Sequence, residues 1–305
     1  MFLMDHEFEV GSHFEGEFWV TVTYQGLTRY HAPYMLANLE DLTGAIEACC
    51  WAGRYHGPEN LSTSDVVSVS GVLGYYNGHW QVHVEHADLV DKSEINPALL
   101  ISADLCPRQD LLEKLARVVG ALSSPPLQRF VRSVLSDDNI IRRFVLVPAS
   151  VKNHHCYPAG TLEHSLECVD VVRGLPGLTR DERDIVTVAA LYHDVGKIMT
   201  NKESGLTPKG FWMHHNALTL EILGEHLKKL DQDWPDAGHL LRHIWSALHK
   251  GPTQPKSSLV GVVQYADQYS AERNQEKAAF TNQPEWKTAA QDPSGNWRRR
   301  LREAA

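Results

Sequence analysis

No stretch of the chain approaches 18 consecutive apolar residues, which excludes a membrane-spanning helix on sequence grounds. Cysteine is scarce as well. The five that occur (Cys49, Cys50, Cys106, Cys156, Cys168) are odd in number and form no C-x-x-C pair, which sets aside a disulfide framework or a zinc knuckle and fits a reducing, cytoplasmic setting. Positive charge is nearly missing from residues 1–96. There Arg29, Arg54 and Lys92 face 14 acidic residues, a formal charge of −11 and the wrong sign for a surface that tracks phosphates. Met1 to Val10 carries Asp5, Glu7 and Glu9 where a signal peptide would place basic residues and then an apolar run. What remains is a chain of 305 residues, 43% hydrophobic, long enough for two domains with real cores.

The first hundred residues read as strands. Phe18–Tyr24, Tyr34–Leu39, Ala45–Trp51, Val66–Val72 and Trp80–Glu85 are rich in β-branched and aromatic residues, with turn signals at Gln25-Gly26, Thr43-Gly44, Gly57-Pro58 and Asn77-Gly78. Five strands at this spacing suit a small Greek-key barrel of the OB type over 1–96. Its aromatics Phe18, Trp19, Tyr34, Trp51 and Tyr75 are candidates to stack bases, Tyr34 and Trp51 foremost. The plain alternative is a set of core rings in a barrel that binds a protein or braces the other half.

Residues 97–147 form a helical connector. Leu111, Leu112, Leu115, Val118 and Val119 repeat at helical spacing, and Ser123-Ser124-Pro125-Pro126 marks a break before Leu127–Leu135. From Leu105 to Asn153 there are eight Lys or Arg against four Asp or Glu. Arg129, Arg132, Arg142 and Arg143 therefore suit a nucleic-acid strand better than the barrel does, although solvated helix faces look the same. Residues 148–275 hold the candidate chemistry, and 276–305 read as a mobile or docking tail with little apolar periodicity. The fold class is α+β: an N-terminal β-barrel followed by an all-α domain.

Thr179-Arg180-Asp181-Glu182 matches a capping box and opens a helix whose core positions are Ile185, Val186, Val188, Ala189 and Leu191. That helix delivers His193-Asp194, followed by Val195-Gly196-Lys197. An imidazole and a carboxylate adjacent in sequence serve one site only if the backbone turns, and Gly196 offers that freedom. Alone, such a pair is common and reads as a helix-end histidine beside a solvated aspartate. The surrounding set sharpens it. His164 lies 29 residues before His193 and His215 lies 21 after Asp194, followed by His249 and Asp267, each in a segment of helical pattern. Ligands so placed can converge on a bundle interior. Four His and two Asp suit Mn²⁺, Fe²⁺, Ni²⁺, Co²⁺ or Zn²⁺, with Mn²⁺ the first expectation, better than an all-oxygen Mg²⁺ or Ca²⁺ cage. Six ligands exceed one catalytic ion with open positions, so one or two ions are expected, two being bridged by Asp194.

The order His164, His193-Asp194, His215, His249, Asp267 resembles the HD superfamily of metal-dependent phosphohydrolases. The strings His154-His155-Cys156-Tyr157-Pro158-Ala159-Gly160-Thr161-Leu162-Glu163-His164 and Tyr265-Ala266-Asp267 resemble, more closely, bacterial 3′-to-5′ exoribonucleases in which an OB-fold precedes an HD domain. Two departures stand out: Ala159 occupies a position where that family tends to carry glycine, and Leu248-His249 replaces a His-His pair. The resemblance implies an HD-type domain over 148–275 and favours His215 over His214 as the ligand. It also implies a metal-dependent 3′-to-5′ exonuclease acting on single-stranded RNA, with DNA also open.

Within that reading Asp194 and Lys197 carry the catalysis, Lys197 by neutralising the phosphorane-like charge and contacting substrate. His155, preceding Tyr157-Pro158, fits a loop rim that touches a phosphate, as does His154. His226, His239 and His243 read as surface or core histidines. Ser165 lacks an evident oriented base for covalent chemistry. Two other enzymes stay open: a phosphohydrolase of nucleotides or cyclic dinucleotides, and an HD-type relaxase that nicks DNA, to which Val147-Pro148-Ala149-Ser150 with His154-His155 is similar. A single-stranded nucleic acid is the expected partner, no membrane is, and a homo-oligomer is open.

Overall fold

A computed structural model describes residues 3–63, 65–92, 94–102, 105–248 and 255–301, the side chain of Val22 excepted. His249 lies outside the described residues. The chain divides into two compact units, 1–121 with 135–138, and 122–134 with 139–305. The stretch 97–147 is thus shared between them and is not a body of its own.

The first unit is built from β1 (His13–Leu27), β2 (Pro33–Asp41), β3 (Gly44–Trp51), β4 (Val66–Tyr76) and β5 (His79–Leu89). Four antiparallel ladders and one parallel ladder, β3 with β5, close the order β1-β2-β3-β5-β4 into a barrel. Alternation along β2, with Met35, Ala37 and Leu39 inward, fills the interior with Phe14, Phe18, Val67, Leu73 and Val82. The Asn77-Gly78 turn forms as the sequence indicates, with φ of 51° and 87°. Gln25-Gly26 is not a turn. Those residues continue β1 as far as Leu27, because Gly26 packs beneath the Tyr24 and Tyr34 rings, where a Cβ would come within 2.8 Å. Helix α1 (Gln109–Gly120) belongs to this unit and buries Leu111, Leu112, Leu115, Val118 and Val119.

The second unit is helical. It holds most of α2 (Pro125–Leu135) and α3 (Asp138–Phe144), then α4 (Gly160–Gly174), α5 (Arg180–Tyr192), α6 (Lys197–Thr200), α7 (Pro208–Trp212), α8 (His215–Ile222), α9 (Gly224–Asp233), α10 (Pro235–Ala247) and α11 (Leu259–Phe280). The short strands β6 (Asn201–Lys202) and β7 (Gly205–Leu206) pair between α6 and α7. The chain is therefore mixed α+β, strands first and helices after. Asp184, buried on α5, accepts the Ser123 and Ser124 N–H groups and so closes the chain entering α2 at Pro125. The capping box at Thr179 and Glu182 is present. Tyr192, fully buried, packs between Phe130 and Phe144 and anchors the end of α5.

Of the two readings of the C-terminal stretch, mobile or docking, its described residues fit docking. Strands β8 (Ala289–Gln291) and β9 (Trp297–Arg299) pair as a hairpin, its turn held by Asp292, whose Oδ1 accepts the Ser294 and Asn296 N–H groups at 2.9 Å each. Arg298 ties the hairpin to Glu272 and Gln275 on α11. Among the described residues no helix is long and apolar enough to cross a membrane.

Candidate metal centre

The packing of α4, α5 and α11 around one another brings four donors to one point in the second unit. His164 faces inward from α4, His193 caps the C-terminus of α5 with Asp194 beside it, and Asp267 projects from α11. The ligand atoms of all four lie within 4.8 Å of one another. His164 Nε2 stands 3.2 Å from His193 Nε2, 3.1 Å from Asp267 Oδ1 and 3.5 Å from Asp194 Oδ2. His193 Nε2 stands 3.3 Å from Asp194 Oδ2 and 3.7 Å from Asp267 Oδ1. An ion with bonds of about 2.1 Å separates neighbouring donors by about 3.0 Å in octahedral and 3.4 Å in tetrahedral geometry. The cluster has those edges.

Tautomers reinforce the fit. His193 Nδ1 is 2.8 Å from the Ala190 carbonyl, so that nitrogen carries the proton and donates it. His164 Nδ1 meets Ser270 Oγ at 2.9 Å. Both Nε2 lone pairs then point at each other, an arrangement that repels unless a cation or proton lies between. Burial pushes both rings toward neutrality. At His193 the Asp194 and Asp267 carboxylates outweigh burial and hold it up at about 10, while His164 goes down to about 4. Asp194 and Asp267 resist the upward push of burial and stay well below the usual carboxylate range, Asp194 through Lys197 and His193, Asp267 through the His164 and His193 rings set against it.

His215, the first residue of α8, reaches the other oxygen of Asp194, with Nε2 3.1 Å from Oδ1. Asp194 thus has an imidazole on each oxygen, the arrangement a bridging carboxylate needs. Gly196 allows the approach, but not by conformational freedom, since its φ of −57° is ordinary helix. It has no side chain because a Cβ there would stand 1.9 Å from the His215 carbonyl oxygen. His214 is exposed, its ring tilted against that of His215 with centroids 4.2 Å apart.

Lys197 is buried, and its ammonium donates to Asp194 Oδ2. Cys168, one turn beyond His164, joins the set as a softer candidate donor. Its Sγ is 4.0 Å from both nitrogens of the His164 ring, which is packing against the ring and not aim at a lone pair. Burial, with the nearby carboxylates, keeps that thiol protonated.

One expected position lies elsewhere. His155 is not on a rim: it is 0% exposed, its N–H donates to Asn274 and its Nε2 lies 3.2 Å from Glu167, because a left-handed φ of 48° turns the residue inward. His154 is half-buried with its ring 5.2 Å from that of His164, and burial brings it down to about 4. His226 pairs with Ser133 and His243 with the Lys256 N–H. Arg143 is exposed and donates to the Asn201 carbonyl, Arg142 is half-buried, and Arg129 pairs with Asp233.

In the first unit Phe18 and Trp19 cannot stack bases, since both rings are buried in the barrel wall and core. Tyr34 and Trp51 are half-buried side by side, their centroids 5.4 Å apart, and Trp51 Nε1 donates to His83. They line a groove of about 1250 Å³ together with Tyr30, Tyr75, Tyr76 and Trp80.

The residues missed by sequence reading are Glu167, Ser270, Asn274 and Lys277. Each lies one to three turns from a ligand on the same helix, a spacing that was available as a signal. Residues 161–272, which hold His164, His193, Asp194, His215 and Asp267, match the family model described as HD domain, the domain of a superfamily of metal-dependent phosphohydrolases.

Proposed function

We propose that the chain is a metal-dependent 3′-to-5′ exonuclease that hydrolyses phosphodiester bonds of single-stranded RNA, DNA remaining a possible second substrate. The observation that carries the hydrolytic part is the four-donor cluster of His164, His193, Asp194 and Asp267, with His215 on the free oxygen of Asp194. A divalent ion held there, Mn²⁺ in the first instance, supplies Lewis acidity to a phosphate oxygen and lowers the pKa of a water. Asp194 orients His193 and His215 about its two oxygens, and Lys197 keeps a positive charge beside the reacting phosphate in a buried setting where such charge counts for more than in water.

The polynucleotide reading rests on aromatic surface. Tyr30, Tyr75 and Tyr76 are 75%, 56% and 66% exposed around the barrel groove, which suits a small barrel of the OB type. In the helical unit Phe211 and Trp212 are 76% and 90% exposed a few residues before His215, where a base next to the reacting phosphate would find a stacking face. Arg142 and Arg143 remain candidates for the backbone.

A nucleotide or cyclic-dinucleotide phosphohydrolase is the second reading, favoured by the acidic first 96 residues. Incubation of Mn²⁺-loaded protein with 5′-labelled single-stranded RNA, single-stranded DNA and a nucleotide panel separates them. A ladder of shortening 5′-labelled products is expected. A discrete nick supports the relaxase-like alternative, and turnover of mononucleotides or cyclic dinucleotides alone overturns the exonuclease.

A further inference from the structure

Asp267, Ser270, Asn274 and Lys277 follow one another along α11 at helical steps, so all four share one face. Opposite them α4 presents His164 and Glu167, three residues apart. The contacts between the two faces form a chain. His164 Nδ1 is 2.9 Å from Ser270 Oγ, and the Ser270 hydroxyl donates to Glu167 Oε2 at 2.7 Å. Lys277 Nζ donates to Glu167 Oε1 at 3.2 Å, and His155 Nε2 lies 3.2 Å from Glu167 Oε2. Asn274 secures His155 by accepting its backbone N–H at 2.9 Å. The linking groups are dry, with Ser270 1% and His155 0% exposed.

A serine hydroxyl has one proton to give. Since Ser270 gives it to Glu167, it meets His164 as an acceptor, and the neutral ring must then carry its proton on Nδ1 and its lone pair on Nε2. That is the nitrogen facing His193, Asp194 and Asp267. A carboxylate at the far end of such a chain orients a ligating histidine and raises its donor strength.

We propose that Glu167, acting through Ser270, is a positioning residue of the metal centre, fixing the tautomer of His164, and that His155 and Lys277 hold its carboxylate in place. The proposal rests on the metal-centre reading but adds to it four residues outside the expected ligand set. It requires no contact between Glu167 and substrate. A carboxylate that merely packed α4 against α11 would support the fold without setting the tautomer.

The test uses the full chain, with Mn²⁺ affinity from isothermal titration calorimetry and the His164 tautomer from ¹⁵N NMR of histidine-labelled, metal-free protein. Native protein should show His164 protonated on Nδ1. Ser270→Ala and Glu167→Gln should each weaken Mn²⁺ binding by about 10- to 100-fold and mix the two tautomers, while Ser270→Thr, which keeps the hydroxyl, stays within about threefold of native. Native-like affinity in both disruptive variants overturns the proposal. So does weakened affinity with an unchanged tautomer, which would mark a packing role and covers a variant that folds poorly. No Mn²⁺ binding by the native chain would instead remove the metal-centre reading itself, an outcome distinct from the other two.

Discussion

The two units place their polar and aromatic groups in opposite ways. In the helical unit titratable side chains are drawn inward: His164, His193, Asp194 and Lys197 are all buried, and each leans on another. In the barrel the core cluster is apolar, and Tyr30, Tyr75 and Tyr76 are exposed along the groove. A dry polar cluster is costly unless its charges are matched, so it marks a site where chemistry is done. An open aromatic groove costs little and suits a ligand held by stacking. On the proposed function the first unit would hold the strand and the second would carry the chemistry, and each half of that proposal can be broken separately.

The largest effect should come from Asp194, which meets His193, His215 and Lys197 together. Asp194→Asn should abolish hydrolysis of bis(p-nitrophenyl) phosphate, a substrate with no base to stack. Asp194→Ala should in addition lower stability by about 3 to 5 kcal/mol by leaving the Lys197 ammonium buried without its carboxylate. The double variant with Lys197→Met should recover part of that loss in a thermal-denaturation cycle. A loss in the double variant equal to the sum of the two single losses would mean that the pair is not coupled.

In the barrel, burial separates two kinds of aromatic. Phe18→Ala should cost about 3 to 5 kcal/mol of stability, measured by denaturant melts, because the ring is fully enclosed. Trp51→Ala or Tyr34→Ala should instead weaken binding of single-stranded RNA by about 1 to 3 kcal/mol each, read by fluorescence anisotropy. The salt dependence of that binding should be shallow, since Arg29 is the only cationic side chain among the residues lining the groove. If Arg142 and Arg143 carry the strand, replacing them should instead reduce the salt slope by about one unit per lost phosphate contact.

A pH test addresses the helical unit. Burial pushes Glu167 up, but the contacts from His155 and Ser270 outweigh it and hold the carboxyl down at about 2, from an ordinary 4.5. A group depressed in the folded state lends stability that is complete above its unfolded value and is lost as pH falls through the folded one. Native protein should therefore lose stability from about pH 4.5 toward pH 2, and Glu167→Gln should lose less over that window. Parallel melting curves for the two proteins would show that the carboxylate is not tied down.

The smallest effect concerns Ala159, which stands at φ 64°, the left-handed region that favours glycine, at the start of α4. Ala159→Gly relieves the strain but removes a fully buried methyl, each worth about 1 kcal/mol, so the melting temperature should change little. A large shift either way would show that one of those two contributions is misjudged.

Much of this was legible where the signal is local. The β-branched runs, the Asn77-Gly78 turn, the Thr179 capping box and the adjacency of His193 and Asp194 are each written within a few residues. Partners across helices are marked more weakly: the spacing of Glu167 from His164 and of Ser270 from Asp267 puts each on a ligand's face of its helix, but only the packing of α4 against α11 pairs them. The side of the barrel wall that Phe18 and Trp19 occupy was likewise undetermined, because alternation gives a period but not which face is inside. His155 was misplaced because a left-handed backbone at one residue reverses a side chain that composition alone assigns to a rim. The hairpin of β8 and β9 escaped because three-residue strands are too short to show any period.

The central claim is that His164, His193, Asp194 and Asp267 form a metal centre. Anomalous diffraction from crystals grown with Mn²⁺ tests it most directly. A peak at about 2.1 Å from both Nε2 atoms and from an oxygen of each carboxylate is the expected result, with any second peak on the His215 side of Asp194. A Mn²⁺ peak elsewhere in the chain, with the four side chains still closed on one another, would contradict it.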